Sequence, residues 1–231
     1  MNKSEKACPT LIRIDKALLF CILAAVLFGV PLFLSAGSLM FTGAWLFLGV
    51  FCVSVLIIFI YLAVKDPELF EKRMKMEEEE RSQMTIKVSL ALIYLVTLVV
   101  SGLDHRLRWS RVPLPVVVVF AVVVALGAVM LFFVMKQNTY GSRAVEIQEN
   151  QRVIDTGLYS VVRHPMYLAF SVIFCFSPFV LGSFYALVPA FLLPWLIAMR
   201  IRNEEELLRK GLEGYEAYMR KVRFRLIPFV W

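Results

Sequence analysis

Histidine and cysteine are scarce in this sequence. Two histidines, His105 and His164, and four cysteines occur among its 231 residues. The cysteines have no Cys-x-x-Cys spacing and lie mostly within apolar stretches, which argues against disulfides and against a zinc site. Two histidines are also too few for a histidine-rich metal site. We therefore expect no bound metal.

Charged residues are also few. Asp, Glu, Lys and Arg make up 19% of the residues, whereas hydrophobic residues make up 60% and the mean hydropathy is +0.74. A soluble domain has about 45–50% apolar residues. Backbone groups in lipid must be hydrogen-bonded within their own element, and apolar segments of ~20 residues match a spanning helix rather than a barrel strand. The sequence therefore predicts an all-α, polytopic bundle of transmembrane helices.

Six apolar stretches are candidate spans, and the last two would form a short helical hairpin. The stretches cover residues 17–36, 40–64, 86–103, 113–135, 166–181 and 183–199. The last two could instead be one broken helix. Cytoplasmic loops of membrane proteins carry the excess of Lys and Arg. Six spans with both termini in the cytoplasm place 22 of the 25 basic residues on the cytoplasmic side. If the last two stretches form one span, only 14 basic residues lie on that side. We therefore expect six spans, cytoplasmic termini and a cytoplasm-facing site.

The net charge of +7 follows from the same topology. Basic segments beside an anionic cytoplasmic leaflet account for such an excess without nucleic acid. Membrane lipids are therefore expected partners, and nucleic acid is not. The oligomeric state cannot be read from the sequence.

We treat residues 1–231 as one integral membrane domain. Residues 1–135 should hold four membrane helices with an interfacial segment at 65–85, and residues 136–231 a polar loop, the hairpin and a C-terminal helix. In the interfacial segment, Asp66 before Pro67 predicts a helix N-cap.

Several shorter features accompany these helices. The acidic run Glu77–Glu80 predicts a solvated helical face, and His105 should be an exposed histidine in the short loop on the opposite side of the membrane. Thr156 and Gly157 predict a turn. Four apolar residues should anchor the polar loop on the membrane: Val145, Ile147, Val153 and Ile154.

Three groups of residues that can do chemistry should meet at the cytoplasmic face. They are Gly157-Leu158-Tyr159, the run from Arg163 to Tyr167, and Arg200 with Glu204 one helical turn later. Together they would form a polar pocket with an apolar floor. Taken singly they have simpler interpretations: a snorkelling arginine, an interfacial histidine and a surface ion pair.

The run GLYSVVRHPMYLA, the upstream pattern V-E-I-Q-x-x-Q-x-V and the downstream R-x-x-x-E-E-x-x-L with Y-x-x-Y resemble the isoprenylcysteine carboxyl methyltransferase family. The likeness covers about residues 136–228 and extends to phospholipid N-methyltransferases. One departure is Ala169, where the family usually has glycine.

The resemblance implies an S-adenosylmethionine-dependent methyltransferase whose cofactor-binding loop is the polar loop. The implied cofactor-binding residues are Gln151, Val153, Ile154, Tyr159, His164, Pro165, Tyr167 and Glu204. Tyr159 would close over the cofactor, and His164, Pro165 and Tyr167 would hold its methionine and nucleoside parts. Arg200 would be the catalytic residue on the substrate side.

Other functions stay open at this point. The acceptor could be an isoprenylcysteine-like carboxylate, a phospholipid amine or a small hydrophobic acid, so the partner is a lipophilic small molecule, a lipid or a prenylated protein. An NADPH-dependent sterol-type reductase has a similar RHP-x-Y hairpin. A non-enzymatic membrane scaffold or carrier is less compatible, because carriers place ionisable residues near mid-membrane and the cores of these stretches have none.

Overall fold

A computed structural model of the protein describes residues 3–74, 81–138, 140 and 151–231. All regular secondary structure in these ranges is helical. The helices are α1 (Lys3–Ala36), α2 (Thr42–Lys65), α3 (Pro67–Met74), α4 (Arg81–Leu107), α5 (Leu114–Gln137), α6 (Pro165–Val180), α7 (Leu187–Ala190), α8 (Leu193–Gly211) and α9 (Tyr215–Lys221), with a 3-10 turn at Gly157–Ser160. The predicted all-α class is confirmed.

Four of the helices are long and apolar enough to cross a bilayer. They span Thr10–Ala36, Thr42–Lys65, Gln83–Leu107 and Leu114–Gln137. Their outward surfaces are strongly apolar, which suits contact with lipid acyl chains and would be costly in water. These helices coincide with the first four predicted stretches, so the protein is an integral membrane protein.

The last two predicted stretches fold differently from each other. The fifth becomes α6, an apolar helix of 16 residues. The sixth, at 183–199, is not one continuous helix: it contains the short α7 and the start of α8, with Pro189 in α7 and Pro194 near the start of α8. Proline has no backbone N–H and clashes with the preceding turn, so it interrupts the expected helix. A count of six crossings therefore stays a prediction.

The interfacial segment begins with the predicted cap. The Asp66 carboxylate accepts a hydrogen bond from the Leu69 backbone N–H at 3.0 Å, and Pro67 is the first residue of α3. Leu69 and Phe70 are fully buried against the C-terminal end of α2, which packs α3 against the end of the bundle. Glu77–Glu80, Val145 and Ile147 lie outside the described residues, so the expectations for them are untested.

Helix α6, which carries Tyr167, packs closely on α5. A side chain at Gly127 of α5 would meet Val172 of α6 at 3.0 Å, so glycine permits this close approach. Ala169 is fully buried, so alanine fits at this position of α6.

A buried carboxylate ties together the opposite end of the bundle. Asp104 accepts hydrogen bonds from the backbone N–H and the hydroxyl of Ser110, both at 2.6 Å, and from the hydroxyl of Ser183 at 2.5 Å. This clasp joins α4 to the turn that follows α6. The neighbouring His105 is exposed, as predicted, but it lies in the last turn of α4 rather than in a loop, and it stacks on Phe41.

Candidate active site

A cavity of about 720 Å³ opens among α4, α6 and α8. Its wall on α8 is one helical stripe of residues spaced three or four apart, which share a face: Leu193, Ile197, Arg200 and Glu204, followed by Leu207 and Leu208. The stripe changes from apolar to charged at Arg200. The cavity therefore has an apolar part within the bundle and a polar part at one end.

The apolar part extends far along α4. Lining residues on this helix run from Lys87 to Leu98, which corresponds to about 16 Å at the rise of an α-helix. Phe170 and Phe174 of α6 form the facing wall. This shape suits a long apolar group whose polar head lies at the charged end.

A hydroxyl connects the two predicted charged residues at that end. The Tyr167 hydroxyl donates to the Glu204 carboxylate at 2.6 Å and accepts from Arg200 Nε at 3.0 Å. Arg200 also donates to the backbone carbonyl of Gln83 at 3.5 Å. The tyrosine therefore fixes the spacing of the arginine and the carboxylate, which the sequence alone suggested as a simple pair on α8.

Glu205 is the centre of a second, more buried network. One of its oxygens accepts from Arg163 Nε at 2.7 Å and lies 3.3 Å from His164 Nε2, and the other accepts from Arg225 Nε at 2.7 Å. Burial alone would raise the pKa of the Glu205 carboxyl, but these three partners outweigh burial and lower it to about 2. The carboxylate is therefore ionised and holds the Arg163-His164 pair in place.

The C-terminal segment completes this end of the site. The backbone N–H groups of Arg163 and His164 donate to the carbonyls of Phe224 and Arg225, each at 2.9 Å. The Arg163 guanidinium donates to the carbonyl of Val222 at 2.9 Å. Gly214, with φ at +81°, ends the break between α8 and α9 and lets the chain return towards α6.

The predicted turn before α6 closes the cavity from the α5 side. Gly157 has φ at +58° and lies against the Gln137 amide, so a side chain there would collide with it. The Tyr159 hydroxyl accepts from Asn138 Nδ2 at 2.8 Å, and burial raises the pKa of Tyr159 to about 12. The carbonyl of Tyr159 accepts from Tyr218 at 2.7 Å. Tyr159 is therefore neutral, and hydrogen bonds from Asn138 and Tyr218 hold it in place.

A profile of the isoprenylcysteine carboxyl methyltransferase family matches residues 117–210. The match includes α6, most of α8 and the polar loop between α5 and α6, and it confirms the resemblance seen in the sequence motifs.

The fold is also that of a solved isoprenylcysteine carboxyl methyltransferase. The structure of the eukaryotic intramembrane Ras methyltransferase, determined without a monobody, superposes with a TM-score of 0.55 and 16% sequence identity. The alignment covers 100% of this chain and 88% of that chain. At this identity the likeness shows a shared fold. None of the curated proteins matches the sequence.

The structure gathers eight of the nine predicted site residues on the cavity. The lining includes Gln151, Val153, Ile154, Tyr159, His164, Tyr167, Arg200 and Glu204. Pro165 does not line it: it is a buried residue that starts α6, where its fixed φ favours the first helical turn. The individual roles of the nine residues remain predictions.

Sequence reasoning missed several residues of this site. Glu205 was not separated from its neighbour Glu204, although adjacent helix positions point in different directions. Arg73 of the interfacial α3 lines the cavity and donates to Met166 Sδ at 3.2 Å. Asn138 was treated as part of the polar loop. No local pattern marks Arg73, because only the packing of α3 against the end of the bundle brings it to the cavity.

Proposed function

We propose that this protein is a membrane methyltransferase that transfers a methyl group from S-adenosylmethionine to a lipophilic acceptor, with an isoprenylcysteine-like carboxylate as the preferred acceptor. The single observation that carries the proposal is the cavity itself. It joins a cluster of Arg, His, Tyr and Glu side chains to an apolar channel, with Arg200 at the boundary. The family match and the shared fold support the same reaction.

The polar part of the cavity has the chemistry that S-adenosylmethionine requires. This cofactor combines a sulfonium, an amino-acid group and ribose hydroxyls, and it supplies an electrophilic methyl group. The Glu204 carboxylate can accept from hydroxyl or ammonium groups, and Tyr167 and His164 offer further polar atoms. Val153 and Ile154 provide apolar surface beside them. The donor set therefore fits this cofactor.

Charge at the boundary favours an anionic acceptor. Among the residues of the two networks, the guanidiniums of Arg163, Arg200 and Arg225 outnumber the carboxylates of Glu204 and Glu205 by one. Arg200 is only 7% exposed and lies where the channel turns apolar. A guanidinium can hold a carboxylate in a fixed orientation. A lipophilic carboxylate would place its charge at Arg200 and its apolar part along α4.

A carboxylate acceptor needs no general base, because it is already an anion near neutral pH. The protein then has two tasks: to align the attacking oxygen with the methyl group and to exclude water. Well-oriented reactants lower a barrier by about 7–11 kcal/mol, and exclusion of water strengthens the interactions that hold them. The Arg200-Tyr167-Glu204 chain is suited to alignment, and Tyr159 is suited to closure.

The topology proposed from the basic residues completes this assignment. We propose that α6 and the segment from α7 into α8 enter the membrane as a hairpin, that both termini are cytoplasmic, and that the site faces the cytoplasm. Such a site would receive a water-soluble cofactor from the cytosol and a lipophilic small molecule, lipid or prenylated protein from the membrane.

Calorimetry on the purified protein tests the cofactor. We expect binding of S-adenosylmethionine and none of NADPH. Binding of NADPH alone would contradict the proposal and favour a sterol-type reductase.

Transfer of labelled methyl groups in membranes tests the acceptor. Label in an alkali-labile ester fraction is expected, and it should disappear in the Arg200→Ala variant. Label in alkali-stable phospholipid amines would refute the carboxylate acceptor while leaving a methyltransferase.

A further inference from the structure

The last seven residues form a closed, rigid loop beside the site. The backbone N–H groups of Arg225, Leu226 and Ile227 all donate to the carbonyl oxygen of Trp231, at 2.9, 3.0 and 3.2 Å. The Trp231 N–H donates back to the carbonyl of Ile227 at 3.1 Å. Phe229 has φ at +64°, which is uncommon for a bulky residue. The surrounding hydrogen bonds hold it in that conformation.

This geometry turns apolar side chains outward. Phe229 is 90% exposed and Val230 76%, and Ile227 is also exposed, whereas Leu226 is buried against the bundle. Several neighbouring apolar side chains exposed on one rigid loop indicate a binding surface, whereas single exposed apolar residues are common on protein surfaces. We call Ile227, Phe229 and Val230 the apolar tip.

The position of the loop places the apolar tip near the bilayer surface. Trp231 packs against the cluster that includes Ile197 and Ile201 of α8, the level at which this helix changes from apolar to charged. The Arg225 guanidinium lies 5.2 Å from the centre of the Trp231 ring. Tryptophan is enriched at this depth of a membrane, where its ring spans the headgroup region.

Basic residues next to the loop specify which lipid surface it fits. Arg220 and Arg223 are exposed, and Lys221 is exposed and pairs with Asp155. A polybasic segment near the membrane is attracted to anionic headgroups, and adjacent apolar side chains add partition energy. The apolar tip and these basic residues together suit the boundary between the headgroups and the acyl chains of an anionic leaflet.

We infer that residues 225–231 are a lipid anchor that inserts the apolar tip into the anionic cytoplasmic leaflet. The inference rests on the topology proposed above, which places this side of the protein in the cytoplasm, but it does not depend on which reaction the cavity performs. The anchor is joined firmly to the site, because Arg225 Nε donates to Glu205 and the Arg225 carbonyl accepts from the His164 N–H.

Photo-crosslinking of the full chain in nanodiscs tests the anchor. The probe is p-benzoylphenylalanine at position 229 or, in a second protein, at position 230, in discs of phosphatidylcholine and phosphatidylglycerol. Position 217 on α9 is the matched control, because Ala217 is also exposed but lies outside the loop. We expect several-fold more lipid adducts at 229 and 230 than at 217. Equal yields, or adducts to another protein in native membranes, would overturn the anchor.

The headgroup preference is tested in the same discs. Phosphatidylglycerol should be over-represented several-fold among the adducts at 229 relative to its share of the disc, and Arg220→Gln with Arg223→Gln should remove this enrichment. Adducts that mirror the disc composition in the unsubstituted protein would refute the anionic preference. Cofactor calorimetry on the same samples reports on the proposed function separately.

Discussion

Replacement of Glu205 by glutamine probes whether one buried carboxylate holds the polar end of the site together. Glutamine has nearly the same shape but no charge. Glu205 is 3% exposed and contacts Arg163, His164 and Arg225. In the Glu205→Gln protein the buried guanidinium of Arg163 would lose its counter-charge.

The expected loss of stability in the Glu205→Gln protein follows from the pKa of the Glu205 carboxyl. A carboxyl whose pKa falls from 4.5 to about 2 stabilises the fold by about 3 kcal/mol, at 1.36 kcal/mol per pH unit. Loss of one partner of a buried ion pair costs about 3–5 kcal/mol in other proteins. For a chain of this size, about 3 kcal/mol corresponds to a Tm lower by roughly 6–12 °C.

Thermal unfolding in detergent, followed at several pH values, is the assay. The folded-state pKa is lowered, so the stabilisation is fully present above pH 4.5 and is lost as the pH falls towards 2. The Tm difference between the native protein and Glu205→Gln should therefore be largest near neutral pH and shrink in acid.

The neighbouring residue provides a matched control. Glu206 pairs with Lys210 at 2.7 Å, but both side chains are exposed, and such pairs contribute no more than about 1 kcal/mol. Glu206→Gln should leave the Tm nearly unchanged. The assigned role of Glu205 is wrong if the Glu205→Gln and Glu206→Gln proteins have the same Tm. It is also wrong if the Tm of Glu205→Gln lies below that of the native protein by the same amount at pH 7 and in acid.

Three further changes test other parts of the structure. Tyr167→Phe removes the hydroxyl between Arg200 and Glu204. Hydrogen bonds to charged groups contribute about 1.5–3 kcal/mol, so initial rates should show a kcat lower by about 10–100-fold. An unchanged kcat would contradict the alignment role of Tyr167. Leu98→Phe fills the inner end of the apolar channel, so kcat/KM should fall for long apolar acceptors, while calorimetry should find the same cofactor affinity. An equal fall in kcat/KM for short acceptors would argue against a channel. Asp104→Asn weakens the hydrogen bonds to Ser110 and Ser183 at the end of the bundle away from the site, and it should lower the Tm without changing cofactor affinity. A parallel loss of cofactor affinity would show that the two ends of the bundle are coupled.

Some features of the fold were predictable because they depend on local composition. The first four stretches became long membrane helices, since apolar runs of this length have few other stable arrangements in a bilayer. The Asp66-Pro67 cap and the Gly157 turn also formed where the sequence indicated, because backbone conformation there is set by one or two residues. The sixth stretch is divided between α7 and the start of α8, because Pro189 and Pro194 interrupt a helix that hydropathy alone would continue.

The sequence by itself determined the helical membrane class and eight of the side chains that line the cavity, because hydropathy and short motifs are local properties of the chain. Only the tertiary structure decided how those side chains pair. Tyr167 came between Arg200 and Glu204, and Glu205 paired with Arg163 across 42 positions. Such contacts depend on helix rotation and packing, and a change of one residue in a helix turns a side chain by about 100°.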